Sequence, residues 1–287
     1  MSRLVFAFMW LAHFLPLILV AAIGNALGRA MFWLIPERRR VTRINLAKCF
    51  PRMPARERER LARAHFRAFC RAFIEQGILW WSPRRRIERL VRLEGLENLT
   101  SVSNSKIILF APHFVGFEAT LARLALEFPV AMMYSRQKDP LFEARLLRGR
   151  TRFGGLMFPR QAGIKTGIQV IESGVRYYYL PDLDFGSKRS VFVPFFGVPA
   201  ATVTGLAYIA RTTGAAVVPC VTRMHPGGGG YAARLHPAWT DFPSGDDTAD
   251  ARRMMAFVEE QVLEMPEQYF WLHKRFKTRP EGEQKFY

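Results

Sequence analysis

The stretch Lys106-Ile-Ile-Leu-Phe-Ala-Pro-His-Phe-Val-Gly-Phe-Glu118 decides how this chain is read. Lys106 to Ala111 is a short, nearly unbroken apolar run, the pattern of a buried strand. Pro112 stops it, and a helix is expected from about Gly116 to Leu126. His113 therefore sits just past the C-terminal end of a strand, where open α/β sheets place their ligands. A histidine there, held by a carboxylate, is equipped as a general base, because the carboxylate fixes the tautomer and stabilises the imidazolium formed on proton abstraction. Glu118 is the nearest candidate. Residues five apart diverge on a continuous helix, so the pair works only if His113 precedes the helix and its ring folds back toward Glu118.

Outward from this stretch the same alternation continues. A strand is expected at Val130 to Tyr134, helices at Leu141 to Arg150 and Ile164 to Ser173, strands at Arg176 to Pro181 and Ala215 to Thr222, and a final amphipathic helix at Thr248 to Met265. Gly227 to Gly230, followed by Tyr231-Ala-Ala-Arg-Leu, reads as a hairpin turn between two strands. It lacks the Gly-Lys-Ser/Thr ending of a nucleotide P-loop. The pattern is α/β, with a mixed central sheet flanked by helices. Before it, ARERERLARAHFRAFCRAFIEQGILWW (55–81) places Leu61, Phe66, Phe69, Phe73 and Ile78 on one stripe among cations. This is a basic amphipathic helix, suited equally to packing on the core and to a membrane surface.

At the N-terminus, Leu4 to Gly24 is apolar apart from His13 and carries no charge, long enough to cross a hydrocarbon core of about 30 Å. A cleaved signal peptide would have a shorter apolar region and a more basic start, whereas here Arg3 is the single early cation and apolar character resumes at 31–35. Residues 1–36 are therefore expected to be a retained membrane anchor, and 37–287 the functional domain led by the basic amphipathic region. Pro16 and His13, with Asn25 and Arg29 beyond, leave a single span, a helical hairpin and an interfacial helix all open. The cations Arg38, Arg39, Arg40 and Arg43 follow directly, which places the body on the cytoplasmic side, against anionic headgroups.

With 287 residues and 49% hydrophobic content the chain can build a sizeable core. Forty-two Lys+Arg against 24 Asp+Glu give a net charge of +18, a field that attracts nucleic acid, anionic lipid or an acidic protein. Three cysteines without CxxC or metal-ligand spacing support neither a disulfide framework nor a zinc site. No serine stands in a GxSxG elbow, and no cysteine in a basic turn, to compete with His113 as the reactive group. Asp184-Phe-Gly186 matches the kinase magnesium motif in letters, but no HRD loop or glycine-rich nucleotide loop accompanies it. Val191 to Phe196 is apolar enough to be either a core strand or the lining of an acyl-chain pocket. A membrane-tethered nucleic-acid binder would account for the charge and the basic-aromatic runs, but not for the apolar anchor.

Taken in order, His113-Phe-Val-Gly-Phe-Glu118, Pro181-Asp-Leu-Asp-Phe-Gly186, Val191-Phe-Val-Pro-Phe-Phe196, Thr202-Val-Thr-Gly205 and Pro266-Glu-Gln-Tyr-Phe-Trp-Leu-His-Lys-Arg-Phe-Lys-Thr-Arg-Pro280 resemble the late acyltransferases of lipid A biosynthesis, of lauroyl and myristoyl type, within the lysophospholipid acyltransferase superfamily. The resemblance covers nearly the whole chain, and the closing run is its most specific part. It implies an inner-membrane O-acyltransferase that moves a fatty acyl chain from acyl carrier protein to the hydroxyl of a 3-hydroxyacyl chain on a phosphorylated glucosamine disaccharide. The acyl-carrier thioester is a co-substrate; no cofactor or metal is implied, and no nucleic-acid partner. The implied partners are acyl carrier protein, an anionic lipid acceptor and inner-membrane lipids. A lysophospholipid or ornithine lipid is the alternative acceptor, because the chemistry is indifferent to what carries the hydroxyl.

The family's H-x4-D/E dyad falls on His113 and Glu118. Members often read Tyr-Arg-Pro where this chain has Tyr134-Ser-Arg136, so Arg136, displaced by one, is either an oxyanion or phosphate contact or part of a solvated basic loop. Arg150 matches the family's Gly-Arg element and suits bidentate binding of a phosphorylated acceptor. Asp182 and Asp184 match an acidic-glycine turn that would orient the sugar or support the basic residues. Tyr269, Trp271, His273, Lys274, Arg275, Lys277 and Arg279 mix aromatic and cationic groups as an interfacial or carrier-docking surface would.

Overall fold

A computed structural model describes residues 2–102 and 106–287. The apolar N-terminus is two helices, α1 (Ser2–Ala12) and α2 (Leu17–Leu34), split at Pro16, which has no N–H to continue the first and stands in extended geometry before the second. There follow α3 (Pro36–Cys49), the long α4 (Ala55–Trp81), α5 (Arg84–Leu90), β1 (Val91–Glu94), α6 (Glu97–Thr100), β2 (Ile107–Phe110), α7 (Phe117–Leu124), β3 (Val130–Tyr134) and α8 (Pro140–Thr151). The chain continues through β4 (Leu156–Pro159), α9 (Gly163–Glu172), β5 (Arg176–Tyr179), β6 (Ser190–Phe195), β7 (Val198–Val203), α10 (Gly205–Thr213), β8 (Ala216–Met224), β9 (Tyr231–Leu235) and α11 (Asp247–Glu264).

Seven strands form one sheet in the order β1-β9-β8-β2-β5-β3-β4. All neighbours run parallel except β8 and β9, the hairpin expected around Gly227 to Gly230. β2 lies in the middle with every residue buried, between β8 (Ile108 opposite Val217) and β5 (Ile108 opposite Tyr177). Parallel neighbours bring their C-terminal ends to one edge, so the residues that follow β2, β3 and β5 emerge together. The run Val191 to Phe196 is a core strand: β6 pairs antiparallel with β7 as a separate hairpin, and Val193 and Phe195 pack into the main core with Met254 and Val258 of α11.

The basic amphipathic helix occupies the expected 55–81 span, and its apolar stripe faces inward. α2 lies along it. A Cβ on Gly24 would meet the Cα of Arg71 at 2.4 Å, and one on Gly28 the Cα of Arg67 at 2.5 Å. Two glycines four apart thus let the helix backbones touch. With Gly24, Gly28 and Phe32 turned inward, α1, α2 and the turn between them present Phe8, Leu11, Phe14, Ile18, Trp33 and Leu34 outward. α2 is long and apolar enough to cross a membrane by length and composition.

Candidate active site

β2 is extended by one rung, Ala111 N donating to Tyr179 O at 2.9 Å, before Pro112 turns the chain. Gly116 then stands at φ +86° as the residue before α7, a left-handed conformation that favours glycine, and the Tyr231 ring lies where a Cβ would be. Residues 113–115 are held from outside the sheet. Val115 N donates to Gln268 O at 2.7 Å, Phe270 N donates to His113 O at 3.0 Å, and Phe114 bridges Tyr269. The Gln268 side chain is itself clamped to both backbone groups of Met224 at the end of β8, at 2.7 and 3.0 Å. The C-terminal run therefore braces the histidine loop. Tyr269, Trp271 and Arg275 are fully buried, which corrects their expected place on a docking surface. Arg275 donates to Ala201 O and Thr202 Oγ1 of β7, tying this run to the β6–β7 hairpin.

His113 precedes α7 as required, but the carboxylate that holds it is Asp182. Its Nδ1 lies 2.6 Å from Asp182 Oδ1, and its backbone N–H donates to Oδ2 at 3.0 Å. Both residues follow adjacent parallel strands, His113 after β2 and Asp182 after β5, and their meeting is a product of that adjacency. Asp182 is completely buried. Burial pushes its carboxyl up, but the His113 charge and hydrogen bonds outweigh that and hold it below the usual range. An ionised Asp182 fixes the Nδ1–H tautomer and leaves Nε2 as the basic nitrogen; among the described residues no protein atom hydrogen-bonds Nε2. Asp182 sits behind the histidine, out of reach of a substrate, which corrects its expected role as a binding residue.

Glu118 takes a different partner. Arg150 of α8 grips it with Nε at 3.0 and 3.1 Å and with a further short contact through Nη2. Both side chains are about a tenth exposed. The neighbouring Gly149 permits this: a Cβ there would fall 2.1 Å from Trp80 Cδ1, so α8 settles on α4 only with glycine at that position. The expected Gly-Arg element is thus a docking device that delivers Arg150 to Glu118, and the guanidinium is already engaged bidentately.

Glu118 and His113 nevertheless line the same cavity, about 100 Å³, with Phe69, Phe73, Val115 and Phe270 as apolar walls. Glu75 of α4 lines it too, held by Arg71 Nε at 2.7 Å and by the Tyr231 hydroxyl; burial pushes its carboxyl up against the pull of those partners. Phe69, Phe73 and Phe270 also line a second, larger groove of about 550 Å³ beneath α2, otherwise bounded by Leu27, Met31, Phe66 and Leu272, with Arg38 and His273 as its polar members. Phe270 stands between the two, with the His113 ring 6.4 Å away on one side and Phe69 at 5.6 Å on the other. Burial and the His113 charge push His273 down to about 4.

Two expected contacts lie elsewhere. Asp184 is buried and saturated by Gly186 N, Thr278 N and Thr278 Oγ1 at 2.6–2.9 Å, so it fastens the C-terminal run and faces no acceptor. Arg136 is exposed on the loop after β3, outside the residues that line the His113 cavity.

A histidine held by a buried aspartate lies beside an apolar cavity, on a body faced with apolar helices. Residues 1–278 match the family model described as bacterial lipid A biosynthesis acyltransferase. The chain belongs to that family. Similar relatives include the lipid A biosynthesis lauroyltransferase of Escherichia coli K12, 35% identical over 96% of this chain and 90% of that one. The palmitoleoyltransferase of the same organism is 31% identical over 97% and 92%, and its myristoyltransferase 32% over 92% and 82%. This lipid A family acyltransferase is an enzyme, and a membrane-associated one.

Proposed function

We propose that this acyltransferase moves a fatty acyl chain from an acyl carrier protein thioester to the hydroxyl of a 3-hydroxyacyl chain on a lipid A precursor, with His113 as general base oriented by Asp182. The observation that carries the reading is the 2.6 Å contact between His113 Nδ1 and a fully buried Asp182. Nε2 takes the proton of the acceptor hydroxyl as its oxygen attacks the thioester carbonyl carbon. The tetrahedral intermediate collapses with cleavage of the C–S bond, the departing thiolate recovers the proton from the imidazolium, and ester and free thiol result. Asp182 stabilises the imidazolium between the two proton transfers. Glu118 lines this cavity, and Arg150 holds it from behind as a fixed ion pair.

The groove beneath α2 is the best-suited place for an acyl chain, because its walls are side chains of α2 and α4 and it shares Phe69, Phe73 and Phe270 with the His113 cavity. Each methylene buried there stabilises by about 0.8 kcal/mol, about fourfold in selectivity, so Met31→Trp should move donor preference toward shorter chains.

α2 lies in the plane of the inner membrane, on its cytoplasmic face. It is packed along α4, which carries Arg56, Arg58, Arg60, Arg63 and Arg67. Drawing that helix through hydrocarbon would cost about 2.5–3.5 kcal/mol per central arginine. Arg39 and Arg63 instead stack on Phe32 and Trp33 at 4.8–5.6 Å, as cations at an aromatic interface do.

The test incubates detergent-solubilised enzyme with a tetra-acylated lipid A precursor and acyl carrier protein thioesters of several lengths. Transfer by wild type and its loss in folded His113→Ala are expected; full activity in that variant overturns the mechanism. Transfer to a lysophospholipid alone would keep the chemistry and replace the acceptor.

A further inference from the structure

A separate groove lies at the corner between α1 and α2, and it shares no residue with the His113 cavity or with the groove beneath α2. It encloses about 460 Å³. Its floor is apolar, with Phe14, Leu17, Ile78 and Leu90, and its cations are Arg86 and Arg89 of α5. Arg86 donates to Leu15 O at 2.6 Å and makes a short contact with His13 O, so it holds the corner in shape while keeping its positive charge. Arg89 is exposed. Among the described residues neither arginine has a carboxylate within ion-pair distance, whereas their neighbour Arg84 is paired with Glu88. Two uncompensated guanidinium groups therefore share one groove, each disfavoured by the other, and an anion between them would relieve both. Around the groove the α1–α2 corner makes an oily rim, with Trp10, Leu11, Ile18 and Leu19 45–63% exposed.

A soluble anion has no use for that rim, and an uncharged lipid has none for the arginines. A phosphodiester with acyl chains uses both. We propose that this groove seats the headgroup phosphate of an anionic membrane phospholipid, with Arg86 and Arg89 on the phosphate and the α1–α2 corner inserted among the acyl chains. The site is separate from the one that receives the acyl acceptor, and it fixes the rotation of the enzyme on the leaflet.

The experiment measures partition of the whole purified enzyme onto vesicles of phosphatidylcholine alone and of phosphatidylcholine with phosphatidylglycerol. A cation at an anionic leaflet is worth about five-fold in partition. Arg89→Gln should thus weaken binding to phosphatidylglycerol vesicles about five-fold and Arg89→Glu about thirty-fold, with phosphatidylcholine binding unmoved. Arg56→Glu, an equal change of charge at an exposed residue outside the groove, should cost at most a few-fold. An equal loss in Arg56→Glu would reduce the effect to diffuse attraction and overturn the site. So would displacement by inorganic phosphate beyond that by chloride at matched ionic strength, which would make it a free-anion site. Arg89 is exposed, and among the described residues its hydrogen bond is to Arg85 O of its own helix, so its variants should keep the fold, and thermal unfolding checks this.

Discussion

Replacing Asp182 with asparagine keeps shape and volume and removes only charge and one acceptor. The native carboxylate receives two donors from His113, the backbone N–H at 3.0 Å and Nδ1–H at 2.6 Å. An asparagine has one carbonyl oxygen for two donors. The backbone N–H cannot turn into an acceptor, so it claims the oxygen and the amide NH2 faces Nδ1. That nitrogen must then accept, and the ring proton moves to Nε2, where it disables the base. The imidazolium also loses a charge-assisted hydrogen bond worth about 1.5–3 kcal/mol. The same exchange in the serine protease triad lowers kcat about 10⁴-fold. We expect kcat to fall between about 10²- and 10⁴-fold in Asp182→Asn, with KM for the acyl donor changed little, since Asp182 touches no substrate. The assay is initial-rate acyl transfer across donor concentrations, alongside circular dichroism. A folded Asp182→Asn within tenfold of wild type refutes the reasoning. A Glu118→Gln variant that falls further than Asp182→Asn would return the orienting role to Glu118.

Glu118→Gln leaves Arg150 without its anion at a site about a tenth exposed, so it should destabilise by up to about 3 kcal/mol, read as a lowered Tm, and Glu118→Gln with Arg150→Gln should recover much of the loss. Gly149→Val drives a side chain into Trp80 and should cost about 1–3 kcal/mol, with activity falling because Glu118 loses its clamp; unchanged Tm and rate would contradict the packing account. Gly24→Leu should separate α2 from α4, lower Tm and loosen donor chain-length selection, since the groove loses a wall; preserved selectivity would move the acyl chain elsewhere. Stability should fall on mild acidification. Burial pushes His65 down to about 4, and His273 reaches about 4 through burial and then the His113 charge. The unfolded chain takes up these protons near pH 6.5 and the folded one only near 4, so stability is complete above 6.5 and declines down to 4, by about 2 kcal/mol per histidine at pH 5. Asp182, held below its ordinary value, contributes in the same direction but in a lower window: its share is present above about pH 4 and is lost only in stronger acid. Denaturant unfolding at pH 7 and 5 checks the slope, and His65→Gln should flatten it.

Local pattern carried most of the architecture. The α4 stripe, the buried β2 run and the glycine hairpin between β8 and β9 each have a period or a turn chemistry that belongs to one structure. The break at Pro16 was visible as a residue, but a continuous apolar run reads as a span whether or not it is bent, and only packing on α4 turned α1 and α2 along the body. β4 is too short to show a period, and β7 reads as part of a Thr-Gly motif. His113 was legible because a strand end, a proline and a helix start frame it. Its partner was not, because Glu118 is near in sequence whereas Asp182 is near only once β5 is known to lie beside β2. The C-terminal aromatics misled for a similar reason: Trp271 and Arg275 are amphipathic residues, at home on a surface or in a core, and composition does not choose between them.

The brace between residues 113–115 and 268–270 joins segments half a chain apart, and such contacts close late because their loops are long. The α2–α4 pair, by contrast, closes a shorter loop, Gly24 meeting Arg71 and Gly28 meeting Arg67, and can form earlier. On that order of closure the apolar helical face would be complete before His113 is aimed, and aiming the histidine would depend on the last part of the chain to be put in place.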